Sequence, residues 1–177
     1  MILDRLLKPR PAKAAGAALY QAAVAQARQP GLYAAGRAPD TREGRFEAYT
    51  LHVILLVERL KGEGEAGAET SQALFDAYLR GLDDAFRELG VGDLAVPKRM
   101  KTLGQAFYGR ARSYEQAFAA LPDRTSLAAV VSRTLLEGVE GGDVQIIADY
   151  IVAQRQGLEA QNLDALLSGA VTWTPAP

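Results

Sequence analysis

Apolar residues recur along the chain at steps of three and four, and no segment shows the alternation in twos that a half-buried strand requires. The spacing predicts a first long helix over residues 12–28. Its face of Leu19, Tyr20, Ala23, Val24 and Ala27 is small enough for a neighbour to pack closely. Gln29-Pro-Gly31 ends it, because proline pushes the residue before it out of helical geometry. After an irregular stretch to Pro39, Asp40 and Glu43 read as a capping box opening a second helix over residues 41–61. Its stripe is Phe46, Tyr49, Val53, Leu56, Val57 and Leu60, but Leu51, Ile54 and Leu55 fall outside that stripe. A helix so apolar around its circumference is expected to be central and covered on several sides.

Residues 62–68, with Glu63 and Glu65, read as a flexible acidic loop. A third helix is expected from Thr70 or Ser71 to a C-terminal glycine, Gly90, with Leu74, Phe75, Tyr78, Leu82, Phe86 and Leu89 inward. Pro97 suits the first turn of a fourth helix reaching Leu121, whose stripe is Met100, Leu103, Phe107, Ala111, Tyr114 and Phe118. Asp123 is the expected cap of a fifth helix ending near Glu137. Asp143 caps a sixth through Ile146, Ile147, Tyr150 and Ile151, and one last turn follows over residues 163–167. The sum is an all-α fold, a single compact bundle of six or seven helices over residues 12–168. A short basic amphipathic segment, residues 1–11, precedes it and a tail, residues 169–177, follows.

At 177 residues the chain can bury a sizeable core. Twenty basic against twenty-one acidic residues leave a net charge of -1, so no global field draws it to DNA. The absence of cysteine removes disulfides, thiolate metal sites and thiol nucleophiles, and a single histidine removes His-rich zinc sites. No cofactor is expected. That histidine, His52, lies mid-helix in the most apolar segment, in a row with Arg45 and Arg59. It reads as a satisfied group at a helix seam or a partner-facing position, not as a catalytic base. Asp83-Asp84 resembles a magnesium-binding pair, but Arg87 stands one turn on where a further acid is needed, so a solvated face is the better reading.

Charge is segregated between the third and fourth helices. Asp76, Asp83, Asp84, Glu88 and Asp93 face a basic run of Lys98, Arg99, Lys101, Arg110 and Arg112. Two readings stay open: pairing between the runs, or a basic face presented to RNA, an anionic membrane or an acidic partner. Gly104 and Gly109 each cost about 1 kcal/mol in a helix interior. They imply either close helix packing or a groove lined by Phe107 and Tyr108.

Four ordered segments carry a family resemblance over residues 19–121. They are Leu19-Tyr-Gln-Ala-Ala-Val-Ala-Gln-Ala-Arg28; Pro39-Asp-Thr-Arg-Glu-Gly-Arg-Phe-Glu47 running on to His52; Leu82-Asp-Asp-Ala-Phe-Arg-Glu-Leu-Gly-Val-Gly-Asp-Leu94; and Val96-Pro-Lys-Arg-Met-Lys101 with Ala106-Phe-Tyr-Gly-Arg110. The set resembles the ubiquinol–cytochrome c chaperone family. The resemblance implies a non-enzymatic helical protein that binds newly made cytochrome b, or its nascent chain, and supports complex III assembly. It also implies association with the ribosome exit region and the inner membrane. On that basis Arg45, His52, Asp83, Arg87, Asp93 and Arg110, within the motifs, are candidate partner-binding residues. Lys98, Lys101, Phe107, Tyr108 and Tyr114, with Tyr33, would supply a charged and aromatic client surface. The start of the chain reads as neither secretory signal nor transit peptide. The expectation is a bacterial-type cytoplasmic member, peripheral at the inner face of the plasma membrane and touching anionic lipid through the 1–11 segment. A lipid- or quinone-binding helical protein is the competing reading.

Overall fold

The apolar circumference of the second helix organises the molecule. In a computed structural model, which describes residues 11–34, 36–88, 90 and 96–177, seven α-helices form among the described residues. They are α1 (Pro11–Ala27), α2 (Arg42–Leu60), α3 (Gly64–Glu88), α4 (Val96–Ala119), α5 (Thr125–Arg133), α6 (Val144–Glu159) and α7 (Leu163–Leu167), with a 3-10 turn at Pro30–Tyr33. No strand occurs among them. Residues 1–10 of the expected amphipathic segment, and Asp93, lie outside the described residues.

Helix α2 contacts α1, α3, α4 and α6, and its consecutive residues Thr50 to Leu56 are all buried. Each such aliphatic side chain contributes roughly 1.5–3 kcal/mol by leaving water. Leu19, Leu56, Leu74, Phe107, Leu127, Val131, Ile147, Ile151 and Leu166 complete a core drawn from all seven helices. Helix α1 lies along α3 so closely that a Cβ on Gly16 would stand 2.5 Å from the Ala73 carbonyl carbon and the Leu74 nitrogen. Only glycine allows that approach.

Several boundaries differ from the sequence reading; at α5 the N-cap is Arg124, with Asp123 one residue outside and accepting from the Thr125 N–H at 2.9 Å. Thr41, not Asp40, caps α2: its hydroxyl accepts from the Gly44 N–H at 3.1 Å, while Asp40 turns to Arg45. Helix α3 starts at Gly64 instead of Thr70, so most of the expected acidic loop is helix. Its Gly67 is pinned, not flexible, since a Cβ there would lie 2.8 Å from the Leu60 carbonyl oxygen. Glu65 also favours a helix start electrostatically. Helix α5 stops at Arg133, four residues short, where the Thr134 hydroxyl turns back to the Val130 carbonyl at 2.8 Å. Asp143 caps α6 as expected, accepting from Ile146 N–H at 3.1 Å. No helix among the described residues is long and apolar enough to cross a membrane.

Candidate functional site

A groove opens on the described surface. It runs between α1, the start of α2 and the end of α3, with Leu103 and Arg110 of α4 at its back, and holds about 700 Å³. Tyr20, Val24, Phe46, Tyr49, Leu82 and Phe86 form its apolar lining. The rim carries both signs, with Arg28, Arg42 and Arg45 alongside Glu43, Asp84 and Glu88. All four segments that carried the family resemblance contribute to this lining, although they span ninety residues of sequence.

The floor is polar. Arg110 Nε donates to Glu47 Oε2 at 2.7 Å and Arg110 Nη2 donates to Glu47 Oε1, a two-pronged pair that matches guanidinium to carboxylate. The same guanidinium sits 5.6 Å from the Phe46 ring centroid and donates to the Ala106 carbonyl at 3.3 Å. The hydrogen bond to Glu47 holds the Arg110 pKa above its ordinary value. The Tyr20 and Tyr49 hydroxyls share a hydrogen bond of 3.2 Å, and Tyr49 stacks obliquely on Tyr78 at 5.4 Å. Burial raises the pKa of both Tyr49 and Tyr78, so neither phenol is an acid at neutral pH. At the outer edge Arg45 donates to Asp40 at 2.5 Å and covers the Tyr33 ring at 5.8 Å. Aromatic faces, the Arg110–Glu47 pair and a rim of mixed charge thus meet in one groove.

The remaining candidates scatter. His52 is wholly buried, with the Trp173 ring against it. Its Nδ1 must carry the proton, since it faces the Ala48 carbonyl at 2.6 Å, and Nε2 then accepts from the Tyr150 hydroxyl at 2.7 Å. Burial lowers its pKa to about 4. Phe107 and Tyr114 are core residues, each 2% exposed, so the expected aromatic surface of α4 is reduced to Tyr108. Tyr108 is 61% exposed and rests on Phe75 at 5.4 Å. Asp83 pairs with Arg87 along α3 at 2.8 Å. Lys98, Arg99, Lys101 and Arg112 are exposed, and among the described residues no acid of α3 pairs with a base of α4. The four bases therefore stand on the exposed side of α4. Gly104 and Gly109 receive no close neighbour, for a Cβ on either would have nothing within 4 Å. Neither intramolecular helix packing nor a Phe107–Tyr108 groove accounts for them. Among the described residues no group of three His, Asp or Glu side chains is placed to hold a metal ion.

Sequence reasoning missed Glu47, Phe46, Tyr20 and Tyr49 as groove residues. A carboxylate four and seven residues before Leu51 and Ile54, on the face that they bury, was the available signal for Glu47.

Known proteins resemble this chain over most of its length. A family model described as ubiquinol-cytochrome C chaperone matches residues 35–173, well past the reach of the four segments. The chain is 28% identical over 140 residues to ubiquinol-cytochrome c reductase complex assembly factor 1 of Mus musculus, covering 77% of this chain and 47% of that protein. The Xenopus laevis counterpart is 26% identical over 140 residues, covering 77% and 69%. The chain thus spans about half the length of the mouse relative. The crystal structure of the Cbp3 homolog from Brucella abortus superposes with a TM-score of 0.85 at 34% identity, covering 99% of this chain and 98% of that one. On the family match, the whole-chain structural agreement and the four convergent segments, this chain belongs to the ubiquinol-cytochrome C chaperone family.

Proposed function

We propose that this chain is a non-enzymatic assembly chaperone for ubiquinol–cytochrome c reductase, and that newly made cytochrome b docks in the groove between α1, α2 and α3. The observation that carries the reading is the meeting of all four family-resembling segments in one aromatic groove with a charged rim. A membrane-protein client needs apolar surface to shelter against, bordered by charge that lets it leave again. Arg45 and Arg110 take part in client contact, Arg110 through its seat against Phe46 and Glu47. The exposed basic face of α4, with Lys98, Lys101 and Tyr108, serves as a second contact toward the inner face of the plasma membrane or the ribosome exit region. The relatives named as complex III assembly factors favour this role over lipid or quinone carriage.

Deleting the gene and measuring spectral haem b and complex III tests the role. Both are expected to fall, and to be restored by the native chain but not by Val24→Asp or Arg42→Glu, two changes at the groove wall and rim. Unchanged haem b and complex III after deletion would refute the reading.

A further inference from the structure

Residues 170–177 have no helix of their own, yet two side chains hold their main chain as a neighbouring strand would. Gln161 donates from Nε2 to the Thr172 carbonyl at 2.8 Å and accepts from the Thr172 N–H at 2.8 Å. Two residues on, Gln154 repeats the pattern with Thr174, donating at 2.7 Å and accepting at 2.9 Å. Gln26, on α1, adds a donor to the Thr174 carbonyl at 2.8 Å. The interval of two is the pleat of an extended chain, which sends the residue between to the other side. That residue is Trp173, whose ring meets the His52 ring edge-on at 5.2 Å. Farther along, Arg37 donates to the Pro177 carbonyl, and a Cβ on Gly31 would overlap that same oxygen.

The face therefore reads backbone and one aromatic side chain, with no hydrogen bond to the Thr172 or Thr174 hydroxyls among the described residues. Extended-peptide receptors are built this way, with main-chain bonds for affinity and a pocket for one side chain. The fit is also imperfect. Trp173 Nε1 is buried with no hydrogen-bond partner, alone in this among buried side-chain nitrogens and oxygens of the described residues. Docking strips that N–H of water and returns nothing, whereas release lets every amide involved bond to solvent. We infer that Gln26, His52, Gln154 and Gln161 form a binding site for an extended, tryptophan-bearing peptide. Residues 172–177 are its resident occupant, and they leave and rebind while the helices stay folded. The site lies on the α1–α2–α6 side of the molecule and does not depend on the client groove.

Competition on the intact chain tests this. An unlabelled peptide with the sequence of residues 171–177 is titrated to millimolar concentration, enough to compete with a tethered segment, into isotope-labelled protein. The Thr172 and Thr174 amide signals and the Trp173 indole N–H are expected to move saturably toward unbound positions, while the amides of α2 and α3 stay in place. The same peptide with Trp173→Gly should act about ten-fold more weakly. Without peptide, the Thr172 and Thr174 amides should exchange with solvent at least about ten-fold faster than that of Ile151. In a Gln154→Ala, Gln161→Ala chain they should exchange faster still, with helix content unchanged. Signals that stay put at the highest peptide concentration, or a Thr174 amide no faster than Ile151, would overturn the inference and make the segment an ordinary part of the core.

Discussion

Arg110 and Glu47, 63 residues apart in sequence, are joined by two charge-assisted hydrogen bonds that pin α4 to α2 beneath the groove. The carboxylate side chain is 10% exposed and the guanidinium side chain 26%, so solvent screens the pair only in part. The geometry is bidentate, and Phe46 covers one face of the guanidinium.

Glu47→Ala should therefore destabilise the fold by about 1–3 kcal/mol, less than a fully buried pair would lose because Arg110 can turn outward to water. Arg110→Ala should cost a similar amount, and the double variant should cost clearly less than the sum. Urea unfolding of the four proteins measures the coupling, expected at about 1–2 kcal/mol. A coupling near zero would mean that the groove floor is held by packing alone.

Acidification should weaken the fold through His52. Its folded pKa lies near 4 against an ordinary 6.5, so above pH 6.5 neither state binds the proton. As pH falls from 6.5 toward 4 the unfolded chain takes up a proton that the folded chain refuses, and stability is lost throughout that window. Between pH 7.5 and pH 5 the loss should be about 2 kcal/mol. Glu58, whose carboxyl is pushed up mainly by burial, acts in the opposite sense, and its partial exposure makes that effect small. Urea midpoints at the two pH values check the sign. A His52→Gln chain, lacking the protein's one histidine, should lose most of the difference.

Gly16→Val places a branched side chain where α1 meets the α3 backbone. Backbone cannot step aside as a side-chain tip can, so the helices must separate, at about 1–3 kcal/mol or more. A melting temperature lowered by several degrees is expected, with the bundle still helical by circular dichroism.

Helix number, the central place of α2 and the cap at Asp143 follow from patterns any reader of the sequence can see, because period and capping chemistry are local. Asp40 and Thr41 were indistinguishable as caps, since both residue types serve, and only the fold reveals that Arg45 takes Asp40. Gly67 looked like a break because a chain does not announce which carbonyl its Cα will touch. Phe107 and Tyr108 were read as one surface although neighbours on a helix point about 100° apart. The stripe through Phe107 and Tyr114 already marked both as core. The motifs contained Glu47 and Arg110 but not their pairing, which exists only after α4 has folded back. The grip on residues 172–177 was invisible for a different reason: it is made to backbone atoms, which carry no residue code.

Gly104 and Gly109 give the most direct way to ask what the outer side of α4 is for. Each lies inside a helix with nothing within 4 Å of the position a Cβ would take, and neither has a positive φ that would require glycine. Alanine at either site should add about 0.5–1 kcal/mol of stability, and the melting temperature of the double variant should rise by a few degrees. The second contact proposed for α4 would use this open space beside the exposed Tyr108 for a partner backbone. The more stable Gly104→Ala, Gly109→Ala chain should accordingly support less complex III in a deletion strain than the native chain does. Full complex III from the stabilised variant would show that nothing packs there, and would leave the client groove as the working surface.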